Sequence, residues 1–371
     1  MLAQRMRRME PSGIRRIFEL MATMEDPINL SIGQAHFETP EPLVEAACRA
    51  LRQGHNRYTT TQGLDSLNER ILEDVRSRHG ERPEASLVTA GVSGGILLSF
   101  LALLDEGDEI LLPDPNFMMY RHLATLCGAT VRYYDLYPRF HPDLAQIDEL
   151  ITERTKVVFI NSPSNPTGGV LTRQEIAAIG AAADRVGAFV VSDEIYDAFV
   201  YVDDYASPVG YAERVIQLGG FSKTYGIPGW RLGYATGPAA VLEAMKTLQQ
   251  FTFVCAPAPL QQAVLEAAFE LDMAPWIREY LGKRDRLASE LHPAYRLAPP
   301  EGSFYAFPEL PGSASENAFI EAALARKLLI VPGSAFSRRD SHFRLSFAAS
   351  DEDLGRGIRE LNALAEQFVG A

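Results

Sequence analysis

The chain has 371 residues, 47% of them hydrophobic and 22% charged, which is enough apolar material for one large domain and a smaller one. Its formal net charge of −13 argues against non-specific nucleic-acid binding, which needs Lys and Arg to neutralise phosphates, while leaving room for a small anion in a local basic pocket. Three scattered cysteines, Cys48, Cys127 and Cys255, form no Cys-x-x-Cys pair, which argues against a disulfide framework or a zinc site and suits a reducing cytoplasm. No apolar run reaches the ~18 residues of a membrane span.

Met1 to Ile17 carries Arg5, Arg7, Arg8, Arg15 and Arg16 with no secretory apolar core behind them, and reads as an amphipathic arm rather than a transit peptide. A short helical pattern (Ile14, Ile17, Phe18, Met21) precedes a strand-like piece from Ile28 that ends at Gly33. Pro40 and Pro42 open a helix through Leu51; Arg57–Gly63 reads as a loop, and Leu64–His79 as a long helix. The run Val88-Thr-Ala-Gly-Val-Ser-Gly-Gly95 is a small-residue turn feeding a helix expected over Ile96–Leu104. Such a turn suits an anion, because free N–H groups and the helix dipole point at it. It lacks the Gly-x-Gly-x-x-Gly spacing of a dinucleotide fold.

From there short apolar runs alternate with helices, which predicts βαβ units and a largely parallel sheet. Strands are expected at 109–112, 131–134, 157–160, 189–191 and 215–218, with a helix at 144–152. Thr172 and Glu175 form a capping box for a helix to Val186. Three strand ends thereby bring Asn165, Asp193 and Lys223 to one rim, where open α/β sheets bind ligands. After residue 270 the texture becomes α+β. Helices are expected at 276–291, 316–325 and 351–368, and short strands at 302–307, 329–331 and 343–347. The expected organisation is an arm over 1–40 joining the small domain, a large domain over 41–270 and a small domain over 271–371. The fold class is α/β, a mostly parallel, mixed sheet flanked by helices, with a smaller α+β domain.

The stretch Gly219–Tyr234 holds the most distinctive chemistry. Lys223 follows an apolar run, sits among glycines and next to Ser222, and precedes Arg231 by eight residues. A nearby positive charge lowers the pKa of a lysine, and a neutral lysine attacks aldehydes. A P-loop is excluded because Ser222, not Gly, precedes Lys223, and a Ser-x-x-Lys motif fails at Gly220.

With these motifs in place, the chain from Pro11 onward resembles the pyridoxal-phosphate-dependent aminotransferases of classes I and II, of fold type I. The resemblance rests on Ser222-Lys-Thr…Gly229-Trp-Arg-Leu-Gly-Tyr, Asn165-Pro-Thr-Gly and Ser192-Asp-Glu-Ile-Tyr taken together. It implies pyridoxal 5'-phosphate as cofactor and Lys223 as the Schiff-base lysine, which also shuttles the α-proton. It gives Asp193 to the pyridine nitrogen, and Asn165 and Tyr196 to the phenolic oxygen. Val92, Ser93, Gly94, Ser222 and Arg231 would meet the phosphate, and Phe117 would stack on the ring. Tyr58 would reach the phosphate of a neighbouring subunit in a homodimer. Arg344, in Phe343-Arg-Leu-Ser-Phe, would grip the α-carboxylate of the substrate, with the Gly33 backbone on its other side.

The reaction implied is transfer of an amino group from an L-amino acid to a 2-oxo acid in the cytoplasm, with no metal, nucleic acid or membrane involved. Two other readings stay open: a C–S lyase or a decarboxylase on the same cofactor and, among non-enzymes, a transcription regulator. The regulator needs a DNA-binding domain, for which the few residues before Pro11 are too short. Ser93 stands where some aspartate-using relatives carry lysine, Ala35-His36 where Pro-Asp is common, and Ile227-Pro228 where Met-Thr is common. Neutral donors are therefore expected to be at least as good as aspartate, unless Arg15 or Arg16 supplies the missing charge.

Overall fold

The structure, a computed structural model, describes residues 3–9 and 24–370. The expected helical pattern around Ile14–Met21 and the positions of Arg15 and Arg16 lie outside the described residues.

Seven strands form the central sheet in the order β2-β8-β7-β6-β5-β3-β4. They are β2 (Ala85–Ala90), β3 (Glu109–Asp114), β4 (Thr130–Asp135), β5 (Thr155–Asn161), β6 (Phe189–Asp193), β7 (Val215–Gly220) and β8 (Leu232–Gly237). The pairs β3–β4, β3–β5, β5–β6 and β6–β7 are parallel, whereas β8 runs antiparallel to both β7 and β2. The sheet is thus mixed and mostly parallel. The continuous apolar runs are explained by its two covered faces. Ile110, Leu112, Val157, Phe159 and Val191 pack into one core, and the alternate residues Leu111, Val158, Ile160 and Val190 into another. Successive strand side chains point to opposite faces, so a strand buried on both sides needs apolar residues at every position.

On the first face lies α3 (Gly91–Leu103); its Ile96, Leu98 and Phe100 are buried. On the second lie α5 (Leu144–Leu150) and α6 (Arg173–Val186), which contribute Ile147, Ile176 and Ile179. The capping box of α6 is present: Thr172 accepts from the Glu175 amide while Glu175 takes the Thr172 amide. The helices α1 (Glu41–Arg52), α2 (Asp65–His79) and α8 (Ala258–Ala267) enclose a further core with β8. Five elements had no clear sequence signal: α4 (Met119–Cys127), α7 (Ala239–Thr252), α8, the reversed strand β8, and β2, whose Val88–Ala90 are strand rather than the expected turn.

Two small sheets complete the fold. The short strand β1 (Ile28–Asn29) pairs in parallel with β10 (Leu328–Leu329). The strand β12 (Phe343–Ser346) lies between β11 (Val331–Pro332) and β9 (Tyr305–Ala306), antiparallel to both. The single strand expected at 329–331 is therefore two, broken at Ile330 and serving different sheets. Helices α9 (Ala274–Glu290), α10 (Glu316–Ala325) and α11 (Asp351–Val369) pack around them. Among the described residues, no helix is long and apolar enough to cross a membrane.

Candidate active site

The parallel neighbours β5, β6 and β7 end side by side, so Asn165, Asp193 and Lys223 emerge at one rim. The chain then returns through β8, and Arg231 precedes that strand at the same rim. The N-terminus of α3, directly after β2, opens there too. Together they border a cavity of about 510 Å³. Gly33, Val92, Ser93, Phe117, Asn165, Asp193, Tyr196, Ser222, Lys223, Arg231 and Arg344 all line it.

Lys223 donates from Nζ to the Gly33 carbonyl at 2.7 Å. Burial, then the positive charges of Arg344 and Arg231, bring its pKa down to about 8, with Asp193 opposing. Burial, more than the neighbouring charge expected from sequence, is therefore the main cause. Gly33 has no room for a side chain, because a Cβ there would overlap the Tyr305 hydroxyl. Gly33→Ala must displace either that ring or the backbone that meets Lys223. Its expected effect is a stability loss of about 1–3 kcal/mol in chemical denaturation, the usual range for overpacking. An unchanged unfolding midpoint would show that the contact is slack.

Asp193 is buried. Its Oδ2 accepts from the Tyr120 hydroxyl at 2.8 Å and its Oδ1 from the Ile195 amide at 3.2 Å. Desolvation outweighs these bonds and raises its pKa to about 6. Asn161, the last residue of β5, donates to the Asp193 carbonyl at 2.9 Å and accepts from the Asn165 amide at 2.9 Å. It thereby fixes both neighbours at the rim. The hydroxyls of Tyr196 and Tyr305 lie 3.1 Å apart, and burial holds the Tyr196 phenol well above its ordinary pKa.

Arg344 is only 2% exposed. It donates from one Nη to Asn165 Oδ1 at 2.9 Å and from the other to the Ser31 carbonyl at 2.7 Å, and its guanidinium sits 4.5 Å from the Tyr305 ring centroid. Its buried Nε has no partner, and no carboxylate is ion-paired with it among the described residues. A buried guanidinium without a counter-ion is costly, which is the signature of a site that receives an anion.

A second anion position is built around the start of α3. Gly91 has φ +70° and turns the chain into the helix. Arg231 itself adopts φ +55° and donates to the carbonyls of Pro228 at 3.0 Å and Ala90 at 3.4 Å. A Cβ on Gly91 would meet the Arg231 guanidinium at 2.5 Å. Val92 and Ser93 lie in the first helical turn, whose N–H groups have no intrahelical acceptor. The helix thus begins at Gly91 rather than Ile96, because the small residues continue the helix instead of preceding it. Gly94 is not part of the cavity lining; a Cβ there would lie 3.5 Å from the Phe253 ring. Tyr58 stays outside the cavity and is 83% exposed.

Sequence reasoning missed Tyr120, Tyr305 and Ser31. Tyr120 lies in the first turn of α4, a helix without a clear sequence signal, so nothing marked its hydroxyl. Tyr305 lay within an expected strand with nothing to mark its hydroxyl. Ser31 contributes only its carbonyl, which no side-chain pattern reports.

Residues 25–361 match the family model described as aminotransferase class I and II. A probable aspartate aminotransferase of Methanocaldococcus jannaschii is 32% identical, with 99% of this chain and 100% of that protein covered. An aromatic-amino-acid aminotransferase of Thermococcus litoralis is 31% identical, over 99% and 98% of the two chains. The crystal structure of an aspartate aminotransferase from Thermotoga maritima superimposes with a TM-score of 0.91 at 31% identity, covering 98% of this chain and 99% of the other. With the rim geometry, these matches make the chain a member of the class I and II aminotransferase family, an enzyme of amino-group transfer.

Proposed function

We propose that this aminotransferase uses pyridoxal 5'-phosphate to move an amino group from an L-amino acid to a 2-oxo acid, as a cytoplasmic homodimer. The observation that carries the reading is one cavity holding a lysine amine with its pKa near 8 between a buried carboxylate and an unpaired buried guanidinium. The donor set fits the cofactor. A phosphate suits the α3 N-terminus with Ser222 and Arg231, a ring nitrogen suits Asp193, a phenolic oxygen suits Asn165 and Tyr196, and the ring face suits Phe117. When bound, the cofactor supplies an aldehyde for amino groups and a pyridinium ring that accepts electrons.

The residues divide the remaining work. Arg344 holds the donor α-carboxylate, with its fork already oriented by Asn165 and Ser31. Gly33 presents its carbonyl to Lys223 Nζ and so sets where that nitrogen points. Lys223, neutral in a large fraction of molecules near pH 8, takes the α-proton and returns it. The buried phenols of Tyr196 and Tyr305 stay protonated at neutral pH and donate. The direct experiment follows the visible band of the loaded enzyme. An amino acid should remove the band and a 2-oxo acid restore it. Loss of the band with release of sulfide or carbon dioxide, and no recovery with an oxo acid, would instead support a C–S lyase or a decarboxylase.

The proposed organisation is an arm over 1–40 with a small domain over 271–371 beside a large domain over 41–270. It is supported by the two small sheets, which use only residues 28–29 and 305–346. The three free cysteines suit a reducing cytoplasm. The dimer is supported by exposed Tyr58, whose loop is tied to the last turn of α7: Gln249 Nε2 donates to the Thr61 carbonyl at 2.6 Å. The end of α7 and the residues after it expose Phe251, Phe253 and Val254. A two-fold assembly lets each Tyr58 complete the other subunit's phosphate site. Tyr58→Phe should weaken cofactor retention without unfolding the protein. Mixing Tyr58→Phe with an inactive Lys223 variant should restore activity in hybrids. A fully loaded, fully active monomer by sedimentation would refute the shared site.

A further inference from the structure

Part of the cavity lining takes no role in the scheme above: Met9, Ile96, Met118, Met119, His122 and Leu123. Met119, His122 and Leu123 are spaced i, i+3, i+4 on α4 and so share one helical face. Ile96 comes from α3. The 3-10 helix Gln4–Arg8 packs against α4 and delivers Met9 to the same cavity. The lining thus draws on two helices and the amino-terminal segment to bring apolar side chains together, four of the six being methionine or leucine.

The charges on the lining are few and already engaged. Among the described residues they are Lys223, Arg231, Arg344 and Asp193, beside His122 and the phenols of Tyr120, Tyr196 and Tyr305. Lys223 is bonded to Gly33, Arg231 to the Pro228 and Ala90 carbonyls, and Arg344 to Asn165 and Ser31. If Arg231 serves the phosphate and Arg344 the α-carboxylate, no guanidinium or ammonium among the described lining residues remains for a second carboxylate on the donor. An ω-carboxylate would leave water for a wall of thioethers and aliphatic carbons, without a partner. Methionine side chains, flexible and polarisable, adapt instead to aromatic or branched groups.

We infer that the wall formed by Met9, Met119 and Leu123 selects neutral amino donors with bulky apolar side chains, aromatic or long aliphatic, over aspartate and glutamate. This rests on the proposed function and specifies its substrate class. Each methylene accepted or rejected by a hydrophobic pocket is worth about 10–200-fold in kcat/KM.

The test is a half-reaction survey of the loaded enzyme with phenylalanine, leucine, methionine, alanine, aspartate and glutamate. Phenylalanine or leucine should exceed both aspartate and alanine by about tenfold or more in kcat/KM. Leu123→Arg should then shift the aspartate-to-phenylalanine ratio toward aspartate by about tenfold or more. Met9→Ala, which adds no charge and is the milder change, should lower the phenylalanine-to-alanine ratio. A general loss of structure scales all donors together and leaves these ratios fixed, so fixed ratios in both variants would overturn the assignment of the wall. Aspartate as the best donor of the parent would overturn the substrate class while leaving an aminotransferase. Reaction with no donor at all would overturn the proposed function and this inference with it.

Discussion

Lys223→Ala should lose turnover by about 10⁴-fold or more, the upper range for removing a positioned general base, while the protein stays folded. The side chain is partly buried and makes its hydrogen bond to a single backbone carbonyl, so its loss removes the reacting amine with little disturbance of the surrounding packing. In the parent, borohydride treatment of the loaded enzyme should fix the cofactor on the peptide containing Lys223. A label on any other lysine would reassign the site. The pH dependence has a definite sign. Only the neutral amine captures an aldehyde, and the pKa here is about 8 rather than the usual 10.5. Capture of added cofactor by the unloaded protein should therefore rise with pH and reach half its limit near 8. A midpoint above 10 would show that burial and the two arginines do not act on Lys223 as the geometry implies.

Asp193→Asn should slow α-proton removal by about 10²–10³-fold, the range for deleting one preorganised electrostatic group from a dry site. The single oxygen of the asparagine can still accept from the Ile195 amide while its NH2 faces the Tyr120 hydroxyl oxygen, so shape is kept and charge is lost. The expected signature is a fall in kcat larger than the change in cofactor affinity. Asp193 ionises with a pKa near 6, so its negative charge, and any rate that needs it, fades as pH drops through 6. The variant should lack this acidic limb. Equal rates for Asp193→Asn and the parent would remove the carboxylate from the mechanism.

Much of this site was legible in the sequence because its parts sit at strand ends. An apolar run followed by Asn-Pro-Thr-Gly, by Ser-Asp-Glu-Ile-Tyr or by Gly-Phe-Ser-Lys places the polar residue at the rim, since parallel strands all end on the same side. The capping box at Thr172 was legible because both partners lie within four residues. What could not be read is long-range or carried by the backbone. The Ser31 carbonyl that holds Arg344 is 313 residues away in the chain, and the Gly33 carbonyl on Lys223 is 190 away. The reversed strand β8 was hidden because Leu232–Gly237 is small and buried on both faces, with no alternation to mark it. The start of α3 was placed five residues late because glycines are read as turn residues, whereas Gly91, Gly94 and Gly95 lie inside the helix.

The two ends of the cavity are held by different reaches of chain. Lys223 and Arg231 belong to one connection between β7 and β8, which leaves and re-enters the sheet at a single rim. The loop itself closes over a short stretch, although its contact with the start of α3, through the Ala90 carbonyl, spans 141 residues. The Arg344 end is assembled from Ser31, Asn165 and Arg344, with separations of 313 and 179 residues. Such remote contacts carry the entropic cost of closing long loops. A cut or local melting within residues 28–37 would therefore strip Ser31 and Gly33 from the site and leave the lysine–arginine loop intact. The enzyme would keep its grip on the cofactor phosphate and lose its hold on the amino acid.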